Sequence, residues 1–165
     1  MEKEHSDKKE EEKIVATYFT KKYFMGQECA IRVLTKEDDS VDVEIGTTIK
    51  AQIVNAGMSN NFFWRIAKNT AHLKKSEPLE LGDVEPVPEI LRVIKKKLGI
   101  KYPDAVDLML LIGCWMTSNM FESICSDLQN IKKQIDEATQ KNTCFKEIWA
   151  VELSAEPGRI LKLWP

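Results

Sequence analysis

Residues 107–131 read DLMLLIGCWMTSNMFESICSDLQNI, and the assignment of this stretch decides the fold. Leu108, Leu111, Ile112 and Trp115 fall at i, i+3, i+4 and i+7, the spacing of one face of a helix. Val106, Met109, Leu110 and Met116 widen the stripe until almost the whole circumference is apolar. A helix apolar all round must be buried, so the spacing predicts a central helix here. After the TSN break, Phe121, Ile124, Leu128, Ile131 and Ile135 recur at alternating steps of three and four. That narrower stripe predicts an amphipathic helix needing cover along one side only.

Working outward, Ile31 and Val33 flank Arg32, and Val41, Val43 and Ile45 alternate with Asp42 and Glu44 around the polar LTKEDD turn. This period of two predicts a hairpin with one buried face. Gly46 ends it, and Thr47 or Thr48 is placed to cap a short helix, TIKAQIVNAG, with Ile49, Ile53 and Ala56 at helical spacing and Gly57 closing it. Residues 58–77 combine three consecutive aromatics with a basic flank, and Leu79 and Leu81 suggest a short strand. Pro86 and Pro88 open a helix whose buried face is Ile90, Leu91, Val93, Ile94 and Leu98 and which Gly99 stops; Lys95, Lys96 and Lys97 read as its solvated side. Residues 2–13, EKEHSDKKEEEK, carry no apolar side chain and read as a solvated tail. Ile14 to Phe24 fits either a strand or a helix. The last segment, CFKEIWAVELSAEPGRILKLWP, is a short, interrupted apolar frame.

With 165 residues, 43% hydrophobic and 30% charged, the chain has the composition of one soluble globular domain with a terminal extension. No apolar run reaches the length needed to cross a bilayer, and the charged start is no signal sequence, so cytoplasm and nucleus are the expected locations. A formal net charge of −2 offers no global positive field for phosphate backbones, which argues against nucleic acid as a partner. Cys29, Cys114, Cys125 and Cys144 show no metal-binding spacing, and with only His5 and His72 no metal set of the usual pattern can be assembled. No G-x-S-x-G, P-loop or G-x-G-x-x-G occurs. Asp38-Asp39 fits a turn, and Phe62-Phe63-Trp64-Arg65 fits packing on a core or a partner better than base stacking. No cofactor, metal or catalytic residue is expected, which leaves protein binding.

The order hairpin, capped helix, polar loop, short strand, helix, apolar helix, amphipathic helix resembles the BTB/POZ fold. VDVEI followed by TIKAQIVNAGM is similar to the second strand and first helix of the Skp (S-phase-kinase-associated) adaptors. Glu77 to Ile94 resembles that family's next strand and helix, and Asp107 to Ile131 its central and following helices. The resemblance covers roughly residues 29–131.

It implies an α/β (α+β) fold with a small three-stranded sheet flanked by helices. A BTB/POZ-like domain over 29–131 would follow a disordered tail over 1–13 and an extension over 14–28, with a helical extension over 132–165. The implied role is a non-catalytic adaptor of a cullin-RING (SCF-type) ubiquitin ligase. Gly113, Cys114, Met116, Thr117, Ser118 and Asn119 would meet the cullin. Phe121, Ile124, Leu128, Ile131, Ile135, Ile148, Trp149 and Trp164 would meet an F-box protein. The alternative reading is a BTB/POZ or elongin-C-like protein-interaction module that self-associates or binds a cullin without F-box proteins.

Overall fold

A computed structural model describes residues 2–34, 40–57, 84–102, 107–139, 143–155 and 158–165. The decisive stretch is a strand. Leu108–Trp115 forms β4, buried at every position except its half-buried last residue. It pairs in parallel with β3, Ile49–Gly57, on one side and with β5, Phe145–Glu152, on the other. A strand covered on both faces and both edges shows a continuous apolar run, and such a run satisfies helical spacing as well as any other. Residues of alternate parity serve separate layers: Leu108, Leu110, Ile112 and Cys114 face one core, and Met109 and Leu111 face the other.

The remaining strands complete one sheet. β1, Ile31–Val33, and β2, Val43–Ile45, form the expected hairpin, with Ile31 opposite Ile45 and Val33 opposite Val43. β2 runs antiparallel to β3, and β6, Ile160–Trp164, runs antiparallel to β5. The spatial order is β1-β2-β3-β4-β5-β6. The TIKAQIVNAG segment is therefore mostly strand. Gly57 closes it as anticipated, but at φ +111 and so near β4 that a Cβ there would lie 2.3 Å from the Trp115 carbonyl oxygen.

Among the described residues, four helices cover the sheet. α1, Glu2–Tyr23, replaces the expected disordered tail and resolves the open reading of residues 14–24. Its apolar residues Val15, Ala16 and Phe19 are fully buried against the sheet, and this tertiary contact supplies what its polar first half cannot. α2, Pro86–Leu98, matches the expected helix, with proline in its first turn and Gly99 at its end. The predicted amphipathic helix is divided at Asp127 into α3, Ser118–Ser126, and α4, Leu128–Thr139. α2, α3 and α4 pack on the face opposite α1, as right-handed crossovers between successive parallel strands require.

The chain is thus a three-layer α/β protein. Among the described residues its sheet has six strands where the resemblance implies three, and Phe145–Glu152 and Ile160–Trp164 are two of them rather than a helical extension. Hydrogen bonding between β4 and β5 carries the sheet across the boundary expected at 131/132. The loop readings at 58–77, Leu79 and Leu81, and Asp38-Asp39 lie outside the described residues. Among the described residues no helix is long and apolar enough to cross a membrane.

Gly113, assigned above to a cullin contact, lies where α1 meets β4. A Cβ there would sit 2.5 Å from Val15 Cγ2 and 2.7 Å from Asn55 Oδ1. Gly113→Ala is expected to destabilise the isolated protein by about 1–3 kcal/mol, read as a lower midpoint in chemical or thermal unfolding without any partner. An unchanged midpoint would show that α1 does not pack there.

Candidate functional site

The residues assigned to F-box binding are brought together, but as core. Phe121, Ile124, Ile131 and Ile148 are fully buried and Ile135 is 1% exposed, all in the layer beneath α2. Leu128 and Trp164 are half-buried against the same cluster, with Trp164 donating its indole N–H to Asp136 Oδ1 at 2.8 Å. Trp149 lies on the opposite face, edge-on to Phe19 and Tyr23. Of the residues assigned to cullin binding, Gly113, Cys114 and Met116 are buried, and burial pushes the Cys114 thiol well above its ordinary range. Thr117, Ser118 and Asn119 are exposed at the start of α3, where the Thr117 hydroxyl caps the helix by accepting from the Met120 N–H. Thr117 and Ser118 border a cleft of about 370 Å³ with Trp115, Met116, Leu153 and Ser154.

Close to that cleft, Arg159 locks the β5–β6 turn to α3. It donates to Glu152 and Glu122 and to the Ser118 carbonyl. These bonds hold the Glu152 carboxyl down at about 2. Every charge here has a partner, so this network joins elements rather than awaiting a ligand.

A different cluster joins four segments remote in sequence. Asp42 enters β2, and its Oδ2 accepts the Ile53 backbone N–H at 2.7 Å while its own N–H donates to the Ala51 carbonyl. Gln52, on β3, is 4% exposed, and its amide donates to the Ser40 carbonyl at 2.8 Å. Its Oε1 accepts from Lys97 Nζ at 2.7 Å, so the last lysine of α2 turns inward across 45 residues of sequence. Glu12, on α1, is 6% exposed and pairs with the exposed Lys8 one turn earlier, at 3.5 Å.

The charges of this cluster sense one another. Burial, and then Asp42, push the Glu12 carboxyl above its ordinary range, against the pull of Lys8 and Lys97. Burial pulls the Lys97 ammonium below its ordinary value, with Asp42 and Glu12 opposing and Lys8 and Lys96 assisting. Around Lys97, two other lysines, Lys8 and Lys96, are set against two carboxylates, Asp42 and Glu12, of which Asp42 acts most strongly. Burial disfavours the charge of both Glu12 and Lys97, a pattern that clusters at functional sites and also occurs in structural ion-pair networks.

None of these residues stood out in the sequence. Glu12 sits in a mixed-charge run and Lys97 ends a lysine triplet, both of which read as solvent-facing. A polar Gln52 amid IKAQIVNAG was the available signal, because a buried strand keeps a polar side chain only where something satisfies it. Compared with known proteins, the chain matches no family model, no curated sequence and no solved structure.

The raised Glu12 pKa carries a sign. A carboxyl that binds its proton more tightly when folded costs stability as pH rises from its unfolded value of 4.5 through the folded one. Glu12→Gln is therefore expected to raise the melting temperature at pH 7 by a few degrees in chelator-treated protein, and to leave it unchanged below about pH 4. A lower melting temperature at pH 7 would make the Glu12 charge a structural support.

Proposed function

We propose that this chain is a phosphodiester hydrolase acting on a nucleic-acid strand, with Glu12, Asp42, Gln52 and Lys97 as its reacting centre. The observation that carries this reading is the juxtaposition at β3 of the Asp42 carboxylate, the Gln52 amide and the half-buried Lys97, with the buried Glu12 carboxyl of α1 shifted by the charges of Asp42 and Lys97.

The donor chemistry supports it. Carboxylate and amide oxygens are hard ligands, and a lone lysine beside them is a point charge suited to a phosphoryl oxygen. Among the described residues no three His, Cys, Asp or Glu side chains are grouped to enclose a metal ion. Mg²⁺ does not need such a cage, since it commonly takes one or two carboxylates and completes its shell with water and substrate phosphate. The Asp42 carboxylate would hold it through the oxygen not bonded to Ile53 N–H, with water and substrate phosphate completing the shell. Bound there, such an ion supplies Lewis-acid polarisation of the phosphoryl group and a more acidic water.

The chain's own residues do the rest. Ile53 N–H fixes one Asp42 oxygen and so orients the other. Gln52 props Lys97 at 2.7 Å, where its ammonium can neutralise charge building on the phosphoryl oxygens in a site of low dielectric. Glu12, whose affinity for a proton is raised, is suited to take one at its carboxylate from the attacking water. The absence of any catalytic histidine motif is no obstacle to this chemistry.

The test is incubation of the full chain with end-labelled DNA and with bis-p-nitrophenyl phosphate, in Mg²⁺ and in Mn²⁺. Hydrolysis is expected, with Asp42→Asn and Lys97→Met each losing about 10²–10³-fold while remaining folded. An inert wild-type protein on both substrates, in both metals, would overturn the reading.

The resemblance to BTB/POZ adaptors supports a second reading, non-catalytic cullin binding. One observation favours it: Thr117 and Ser118 are exposed beside the cleft floored by Trp115 and Leu153. On this reading, folded wild-type protein captures a cullin N-terminal domain and Ser118→Arg abolishes capture. Failure of the wild type to bind would end it.

A further inference from the structure

We infer that the outer edge of β6 is a self-association surface, on which a second copy of this chain pairs its own β6 antiparallel about a two-fold axis at Leu161.

Among the described residues, β6 is the last strand in the spatial order, and β5 bonds it on its inner side only. The Glu152 N–H donates to the Arg159 carbonyl at 2.8 Å, which makes these two residues a hydrogen-bonded pair of the ladder. Such pairs alternate in an antiparallel ladder. Ala150 and Leu161 are therefore bonded in the same way, while Ile160 and Lys162 sit opposite Val151 and Trp149 in non-bonded pairs. The N–H and C=O of Ile160 and of Lys162 thus point out of the sheet, and no hydrogen bond among the described residues reaches them.

An edge of this kind is a template for another strand, and natural sheets commonly guard it with a projecting lysine. Lys162 does not serve as that guard. Its Nζ donates to Glu147 Oε1 at 2.9 Å and lies 5.8 Å from the centre of the Trp149 ring, and both partners are on β5. The charge is drawn inward, away from the open edge, and is neutralised there.

The spacing of the open groups selects the occupant. They lie at positions i and i+2, so an identical antiparallel strand centred on Leu161 sets Ile160 against the partner's Lys162 and Lys162 against the partner's Ile160. Each of these pairs exchanges both of its N–H···O=C bonds. Between them the two Leu161 side chains, half-buried in the single chain, meet in the closer, non-bonded pair. No lysine stands directly opposite another, the arrangement that would repel. The register shift at Ile148/Trp149 and the terminal Pro165 confine the pairing to residues 160–162. A contact that uses the same patch on both copies closes at two.

Analytical ultracentrifugation of the full chain, with backbone amide exchange read by NMR over the same concentrations, tests the assignment. So short a contact belongs with weak interfaces, and the mass is expected to climb from 18.9 kDa toward twice that value between about 1 µM and 1 mM. Over that range exchange at Ile160 and Lys162 should slow several-fold, while Leu161, bonded to β5 in the single chain, stays slow throughout. Ile160→Pro removes an outward N–H without touching the β5 ladder and is expected to abolish the dimer. Ile160→Ala trims the same side chain, keeps the N–H and should still pair.

A single-chain mass across the whole range overturns the inference. So does a dimer that survives Ile160→Pro, which would place the contact elsewhere, or growth past two copies. Slow exchange at Ile160 and Lys162 in dilute, single-chain protein overturns it as well, because the chain would then be covering its own edge. The exchange measurement needs only the wild type, so it decides the matter if the proline variant fails to fold.

Discussion

An eight-residue strand with two apolar faces sets the terms for everything else in this protein. β4 is covered above, below and on both edges, with every residue before its half-buried end at Trp115 buried. Its edges are closed by β3 and β5 in parallel, which forces each connection to cross over the sheet. Those crossovers carry α2, α3 and α4 to one face, and the opposite face then requires α1. The helix at the start of the chain owes its order to this requirement, since its own first half is charged and gains little by folding alone.

The parts of the fold that sequence made legible are those with an unambiguous period or a strong boundary. The β1–β2 hairpin alternates strictly, and α2 is bracketed by Pro86, Pro88 and Gly99. Around Phe121 and Ile131 the apolar stripe is broken by polar residues at the right interval, so helix was the correct reading there too. β3 and β4 were misread because a segment buried on both faces contains no contrast from which to take a period. Ile49, Ile53 and Ala56 have helical spacing, yet Ala51 and Gln52 between them are also buried. The F-box contact that the resemblance implies for Ile124 and Ile148 falls on core residues, because the strands of the sheet already cover them.

The candidate site was hidden for a different reason. Its contacts are long-range and its members are single polar residues in unremarkable company. Asp42 looked like the solvent face of a hairpin, and Lys97 like one of three equivalent lysines. Only the turn of α2 over the sheet separates Lys97, which bonds Gln52, from Lys95, which reaches toward Gln134. The cluster also opposes the local logic of stability, since its carboxylate and its lysine are both held where burial disfavours their charges. Conflict of that kind persists where a function requires it.

That Glu12, Asp42 and Lys97 form one electrostatic unit is most directly tested by titrating the Glu12 side-chain carboxyl by ¹³C NMR in the wild type, Asp42→Asn and Lys97→Met. The expected midpoint lies above the ordinary carboxylate range, falls when the Asp42 charge is removed and rises further when the Lys97 charge is removed. A midpoint at the ordinary value of 4.5, unmoved by either substitution, would show that the three groups do not meet.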